Sequence, residues 1–330
     1  MKKILITGAT GYIGNRLLFA AIEKGYHVNA LVRNAGAASL PKLDAVTYLA
    51  GDIRDFHSVC RAMEGCREVI HAAGIAQLWQ RDRRMLYEVN VGGTRNVLEA
   101  ALQHEVERFV FTSSCAVIGP SGDRPVSETD PRLTPFENDY ERSKYCAEEL
   151  VREYVNKGLQ AVIISPSRVY GPGLLTISNP LTLLIRNALC RKIAFVPSAK
   201  NVVGNYAFID DVVQAHFKAL CFGTPGEKYI AGGENLTYNQ FFNAIRSGAA
   251  NKVRLITVPK AILKAAGAFA YAASLISGKH YHLTPRLVER LYCNRALSCD
   301  KAIQQIGYTI TPAQEGISKT IQFLKQQHHV

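Results

Sequence analysis

The sequence predicts an α/β protein built on a doubly wound parallel sheet, with a smaller, mostly helical C-terminal lobe. Three observations lead there. Apolar runs alternate with amphipathic stretches through the first half of the chain, the first run breaks into glycines three residues apart, and prolines punctuate shorter elements after Pro166. Such alternation is the pattern of parallel strands joined by crossover helices that cover both faces. Ile4-Leu5-Ile6 forms the first strand; Leu17, Leu18, Ala21 and Ile22 then recur at helical spacing until Gly25 ends the helix. Val28–Val32 reads as the second strand, Ala45–Leu49 as the third, Glu68–Ala72 as the fourth, Arg108–Thr112 as the fifth and Ala161–Ser165 as the sixth. Helices are expected between them at about 56–63, 85–104 and 140–156. Glu227–Ile230 looks like a late strand returning to the sheet. The expected organisation is a sheet domain of residues 1–170, rejoined by about 206–231, and a lobe of 171–205 and 232–330 over the strand ends.

The turn Thr7-Gly8-Ala9-Thr10-Gly11-Tyr12-Ile13-Gly14 links the first strand to its helix. An isolated glycine triplet is an ordinary surface turn. A strand before it and a helix after it make it a cradle for a pyrophosphate, with bare backbone N–H groups and the positive end of the helix dipole facing the anion. The predicted class is therefore a Rossmann-type dinucleotide-binding domain. Gly8, Thr10, Gly11, Tyr12, Ile13 and Gly14 form the candidate cradle.

Other strand ends complete the cofactor pocket. The second ends Val32-Arg33-Asn34, with no carboxylate to hold a ribose 2′-hydroxyl and a guanidinium suited to a 2′-phosphate. Arg33 thus favours NADP(H), with NAD(H) possible; the plainer role is a solvated residue stacking on adenine. Lys42 is a second candidate for that phosphate. Asp52 is placed to accept from an adenine amino group while Ile53 packs on the ring, or else to cap the next helix. Ala72, Ala73 and Gly74 leave room for a dinucleotide to cross.

Tyr140-Glu141-Arg142-Ser143-Lys144 places a phenol and an ammonium on one helical face. Fifteen tyrosines make such a pair unremarkable on its own, but this one begins the helix after the strand that ends Thr112-Ser113-Ser114. Hydride transfer to a carbonyl leaves an alkoxide that must be protonated. A phenol with its ordinary pKa near 10 holds its proton tightly, and a nearby ammonium and an oxidised nicotinamide are both expected to lower that value. Ser114 is placed to hydrogen-bond the carbonyl oxygen.

Composition bounds the alternatives. Hydrophobic content of 48% and charged content of 20% describe an ordinary globular chain. The net charge of +12 is scattered, with only Arg81, Arg83 and Arg84 bunched, so a basic surface attracting an anionic cofactor is favoured over nucleic-acid binding. The eight cysteines form no Cys-x-x-Cys pair; no metal site and a cytoplasmic, reduced protein without a signal peptide are expected. Ala265–Ser277 is nearly free of charge but too short to span a membrane. A buried helix is the default expectation there, and weak membrane-surface association through 261–277 the minority one.

Together these stretches resemble the extended short-chain dehydrogenase/reductases, the NAD-dependent epimerase/dehydratase superfamily. The likeness runs through Thr7 to Gly14, Gly51-Asp52-Ile53-Arg54-Asp55, His71-Ala72-Ala73-Gly74, Asn90-Val91-Gly92-Gly93-Thr94, Thr112-Ser113-Ser114, Tyr140 with Lys144, and Pro166-Ser167-Arg168-Val169-Tyr170-Gly171-Pro172-Gly173, nearly the whole chain. It implies that Tyr140 is the acid/base, Lys144 its partner and Ser114 the carbonyl-binding hydroxyl. It also implies that Asn90, Pro166, Ser167 and Val169 lie at the cofactor, and that the protein is a homodimer through its two long helices.

Sugar-nucleotide members commonly carry an Arg that grips the diphosphate where this chain has Gly204-Asn205-Tyr206. Tyr206 through Asp211, the apolar 261–277 run and Asp300-Lys301-Ala302 with Gly307-Tyr308 look instead like the 3β-hydroxysteroid dehydrogenase and dihydroflavonol reductase branch. Asp210 or Asp211 also suits a helix cap. Ile118 departs from the Tyr usual in sugar epimerases, and residues 174–203 match no known pattern. The expected function is an NADP(H)-dependent oxidoreductase acting on a hydrophobic ketone or secondary alcohol. A nucleotide-sugar epimerase or dehydratase with retained NAD, and a non-catalytic NADP(H) sensor, are the alternatives.

Overall fold

The computed structural model describes residues 2–37, 40–76, 83–176, 178–277, 285–327 and 330; Arg81 and Lys279 fall outside these. Strand β1 (Lys3–Thr7) leads into helix α1 (Tyr12–Glu23), then β2 (His27–Val32), β3 (Val46–Ala50), α2 (Phe56–Met63) and β4 (Glu68–His71). Helix α3 (Arg83–Tyr87) runs through a π-helical segment, Glu88–Gly93, into α4 (Thr94–Gln103). Next come β5 (Arg108–Thr112), α5 (Asp139–Asn156) and β6 (Ala161–Pro166). The seven-stranded sheet has the order β10-β6-β5-β4-β1-β2-β3, with β10 at Lys228–Ala231 and every pair parallel.

In the inner strands successive residues alternate between two cores, which is why the strands read as continuous apolar runs. Ile4, Ile6, Val28, Val110 and Ile164 face one core; Leu5, Leu31, Phe109, Phe111 and Ile163 face the other. Because the chain goes β1, β2, β3 outward and then crosses to β4 beside β1, the strand order reverses between β1 and β4. The carboxyl ends on either side of such a reversal are the usual place for a ligand in sheets of this kind.

The remaining elements build outward from β6. They are β7 (Arg168–Tyr170), α6 (Pro180–Arg191), β8 (Ile193–Pro197), β9 (Val203–Phe208), α7 (Ile209–Phe222), β10, β11 (Glu234–Thr237), α8 (Tyr238–Gly248) and β12 (Arg254–Val258). Helices α9 (Lys260–Ser277), α10 (Pro285–Arg290), α11 (Asp300–Ile306) and α12 (Ala313–Gln326) follow. Strands β11, β9 and β7 form a second sheet, and β12 pairs with β8 in a third.

The structure corrects several expectations. The helix expected at 85–104 carries the π segment, because the Asn90 amide is drawn inward to Ile75 and Ser143. Helix α9 is not buried: Ile262, Phe269 and Tyr271 are exposed, Phe269 by 78%, and the helix packs mainly on α10. Neither acid caps α7. Asp210 pairs with Arg16 at 2.5 Å, and Asp211 accepts from the backbone N–H and hydroxyl of Thr311. Nor does Asp52 cap α2; Asp55 does, through the His57 N–H, while Asp52 pairs with Arg54.

Close packing at the first turn is testable. A Cβ on Gly14 would sit 2.0 Å from Gly8 O, inside any tolerated contact, so Gly14→Ala must push helix α1 off the sheet. Thermal unfolding of Gly14→Ala should show a loss of about 2 kcal/mol or more; an unchanged melting curve contradicts this packing.

Candidate active site

The crevice between β1 and β4 is lined with backbone. Gly8, at φ +78°, packs so closely that a Cβ there would lie 2.6 Å from Ala73 N and 2.7 Å from Ala72 C. Only glycine combines that dihedral with that approach. Gly11 donates its N–H to Gly8 O and stands at the N-cap of α1 with no side-chain cap. The first N–H groups of α1, from Tyr12, Ile13 and Gly14, therefore have neither an intrahelical acceptor nor a capping oxygen. That donor set fits a pyrophosphate. Tyr12 itself points into the core and donates to Gly171 O, so only its backbone belongs to the cradle. Thr10 is exposed at the turn.

Farther along the crevice, Arg33 is exposed at the end of β2, and its charge helps the Arg54 pair hold Asp52 below the usual carboxylate range. Lys42 is also exposed. Ile53 is buried and packs under Gly93, where a side chain would strike it. The Asn90 amide exchanges hydrogen bonds with the Ile75 backbone and donates to Ser143 Oγ, pinning the end of β4 to α5. His71 bridges Thr7 and Thr94, and burial drives its pKa down to about 3, so it is a neutral strut.

Helix α5 begins at Asn138, whose side chain accepts from the Glu141 N–H. This cap brings Tyr140 to the sheet edge where Ser114 lies two residues past β5, itself accepting from the Ala116 N–H at 3.2 Å. Tyr140 is buried, and burial raises its pKa; the facing Ser114 hydroxyl and then Arg290 pull the other way. Lys144 lies one turn on and is also buried. Its ammonium donates to Thr112 O at 2.7 Å, sits 4.4 Å from the Phe111 ring, and borders the gap left by Gly74. Burial pushes Lys144 down to about 8, with Glu148 opposing. In this structure burial dominates the phenol, and the Lys144 ammonium gives its hydrogen bond to Thr112 O.

The sequence reading missed what lies beneath. Glu141 is fully buried and takes Arg132 at 2.6 Å, Arg290 and the Glu137 N–H. Burial acts to raise it, but Arg290, that N–H and Arg132 prevail and hold it below its ordinary range. Glu137 in turn binds Arg290 at 2.8 Å and Arg295 at 2.7 Å. Ser113, the neighbour of Ser114, donates to Glu148, which also pairs with Lys228 of β10. No local signal marked Glu141; its partners come from residues 132 and 290. Pro166 is buried at the end of β6, Ser167 donates its N–H to Ala231 O, and Val169 pairs with Ala207 across β7 and β9. All eight cysteines are free thiols, and among the described residues no metal-ligating cluster and no helix long and apolar enough to cross a membrane is found.

With this geometry in hand, comparison with known proteins is direct. Residues 4–232 match the NAD dependent epimerase/dehydratase family, and the chain belongs to that family of enzymes, in its extended short-chain dehydrogenase/reductase branch. It is 32% identical over 265 residues to sterol demethylase protein B of Methylococcus capsulatus, covering 79% of this chain and 78% of that one. Identity to the 3-beta-hydroxysteroid dehydrogenase of Mycolicibacterium neoaurum is 28%, over 93% of this chain and 87% of the other. The UDP-glucose 4-epimerase of Thermotoga maritima, solved with UDP-glucose, superposes with a TM-score of 0.80 at 20% identity, covering 99% of each chain, a likeness of fold.

The Lys144 shift carries a sign. Its folded pKa is about 8, below the ordinary 10.5, so the unfolded chain binds the extra proton between those values. The resulting cost, about 3 kcal/mol, is complete below pH 8 and is relieved as pH rises toward 10.5. Denaturant unfolding of wild type and Lys144→Met from pH 7 to 10 should show the wild type gaining stability relative to the variant. A pH-independent difference rules out the depressed ammonium.

Proposed function

We propose that the protein is an NADP(H)-dependent oxidoreductase that interconverts a hydrophobic ketone and the corresponding secondary alcohol. The observation that carries this reading is the meeting of the Tyr140 phenol, the Ser114 hydroxyl and the Lys144 ammonium beside a backbone-lined crevice with uncapped helix N–H groups. Bound nicotinamide supplies or accepts the hydride. Ser114 donates to the substrate carbonyl oxygen and favours its developing negative charge. Tyr140, whose proton is held firmly by burial, delivers it to that oxygen in reduction and recovers it in oxidation. Lys144, whose ammonium borders Gly74, is read as holding the ribose hydroxyls. The backbone of Gly8 to Gly14 holds the pyrophosphate, Asp52 and Ile53 the adenine, and Pro166, Ser167 and Val169 wall the nicotinamide side.

Arg33 is read as the partner of a 2′-phosphate, which favours NADP(H). The hydrophobic substrate class is supported by the names of the two relatives and by Gly204 standing where sugar-nucleotide members carry an Arg. The lobe of residues 171–205 and 232–330 is read as the substrate cover. We also read the molecule as a cytoplasmic homodimer through α4 and α5, with the exposed apolar side chains of α9 resting weakly on membrane surfaces. Sedimentation with and without anionic vesicles reports on both; a monomer that never pellets with vesicles overturns them.

NADPH oxidation against a panel of apolar ketones should fall at least about a thousandfold in Tyr140→Phe while NADPH still binds; equal turnover by the two proteins removes the acid/base assignment. Arg33→Asp should shift preference from NADPH toward NADH by about tenfold or more. An unchanged NADPH-to-NADH ratio overturns the 2′-phosphate reading.

A further inference from the structure

One turn of α5 beyond Lys144 stands an acid that the proposed chemistry does not use. Glu148 is 1% exposed, and both of its oxygens are engaged. Ser113 Oγ donates to one, Lys228 Nζ to the other at 2.9 Å, and the Arg152 guanidinium stands 3.6 Å off. Each of these groups donates, which suits an ionised carboxylate, an acceptor only. A charge so far from water is costly unless nearby cations answer it.

Two buried ammonium groups share this one carboxylate. Lys228 is 8% exposed and pairs with it directly; Lys144 is 6% exposed and, among the described residues, has no ion-pair partner. Positions 144 and 148 lie on one face of α5. Both side chains reach the same place on the sheet. Lys144 donates to Thr112 O at the end of β5, and Glu148 accepts from the hydroxyl of the next residue, Ser113. With water excluded, the carboxylate acts on the ammonium without touching it. Burial lowers Lys144, and Glu148 is the charge that opposes burial.

The other groups around the pair do not supply that charge. His71, facing Lys144 from β4, is neutral, and Cys115, just past β5, is kept a thiol by burial. Asn90, which borders the same gap at Gly74, and the Phe111 ring do not titrate. On α5 itself, burial keeps Tyr140 a phenol, and Arg152 is a further cation.

We propose that Glu148 is a positioning residue for Lys144: its buried negative charge, anchored by Ser113 and Lys228, keeps that side chain an ammonium near neutral pH. The use made of this charge, holding the cofactor ribose beside Tyr140, rests on the oxidoreductase reading. The electrostatic role does not.

Nuclear magnetic resonance of the full-length protein with carbon-13-labelled lysine, without cofactor, reads this protonation directly. The Lys144 Cε signal is assigned from Lys144→Met, and in wild type it should titrate with a midpoint of about 8. Glu148→Gln removes the charge and keeps a polar side chain; it should lower the proton affinity of Lys144 about tenfold or more. Glu148→Asp should restore most of it, and Arg152→Gln, at the half-exposed rim, should change it by less than about threefold. Because Glu148→Gln strands the Lys228 ammonium, the double variant Glu148→Gln with Lys228→Met removes both charges, and the same drop is expected there. A midpoint unmoved in both variants overturns the proposal whether or not ketones are reduced. With NADPH and a ketone, the alkaline limb of kcat/KM should move to lower pH together with the Lys144 midpoint. A limb that stays while the midpoint moves removes the positioning role. A midpoint that moves, with no ketone reduced even by wild type, preserves the electrostatic role of Glu148 and sinks the oxidoreductase reading instead.

Discussion

Contact between two backbones organises this molecule. The turn at Gly8 lies against the Ala72–Ala73 peptide with no space for a side chain, and Gly14 lies as closely on Gly8. That double contact fixes α1 relative to β1 and β4, and so fixes where the sheet reverses its strand order. Uncapped N–H groups, the small residues at the end of β4 and the β5 edge all take their positions from it. Bulk at either glycine moves the helix, and the crevice is lost with it.

Electrostatics at the Tyr140 edge follow from burial more than from pairing. The phenol is pushed up and the ammonium down, so both are biased toward their neutral forms. Charge is instead concentrated one residue away, where Glu141 holds two arginines from distant parts of the chain. This separation keeps the phenol uncharged in a rigid frame. It also ties α10 to the start of α5, so the lobe and the edge of the sheet share one set of ion pairs.

Much of the sheet was readable because its signals are local. Apolar runs such as Ile4-Leu5-Ile6 and Phe109-Val110-Phe111 bury alternate residues in opposite cores, and strand ends fell within a residue or two of their expected places. That the Tyr140 phenol faces the Ser114 hydroxyl could be expected, because a strand end and a helix start must meet at one sheet edge. What escaped is non-local. The π segment depends on Asn90 reaching Ile75 and Ser143; Glu141 depends on Arg132 and Arg290; Asp211 turns to Thr311 and away from its own helix. The apolar run in α9 was misjudged because hydropathy records composition, and burial needs a neighbour to pack against.

Glu148 shows how late the sheet becomes complete during synthesis. Its carboxylate is 1% exposed, and its close cation is Lys228, 80 residues farther on, with the half-exposed Arg152 3.6 Å away. A nascent chain that has left the ribosome only as far as β6 already contains this acid and the hydroxyl of Ser113, but not the ammonium that neutralises it. The sheet edge at β6 also stays unpaired until β10 arrives. The interval between those two stretches is when the growing polypeptide is most open to wrong partners, and a chaperone that shields the β6 edge would act there.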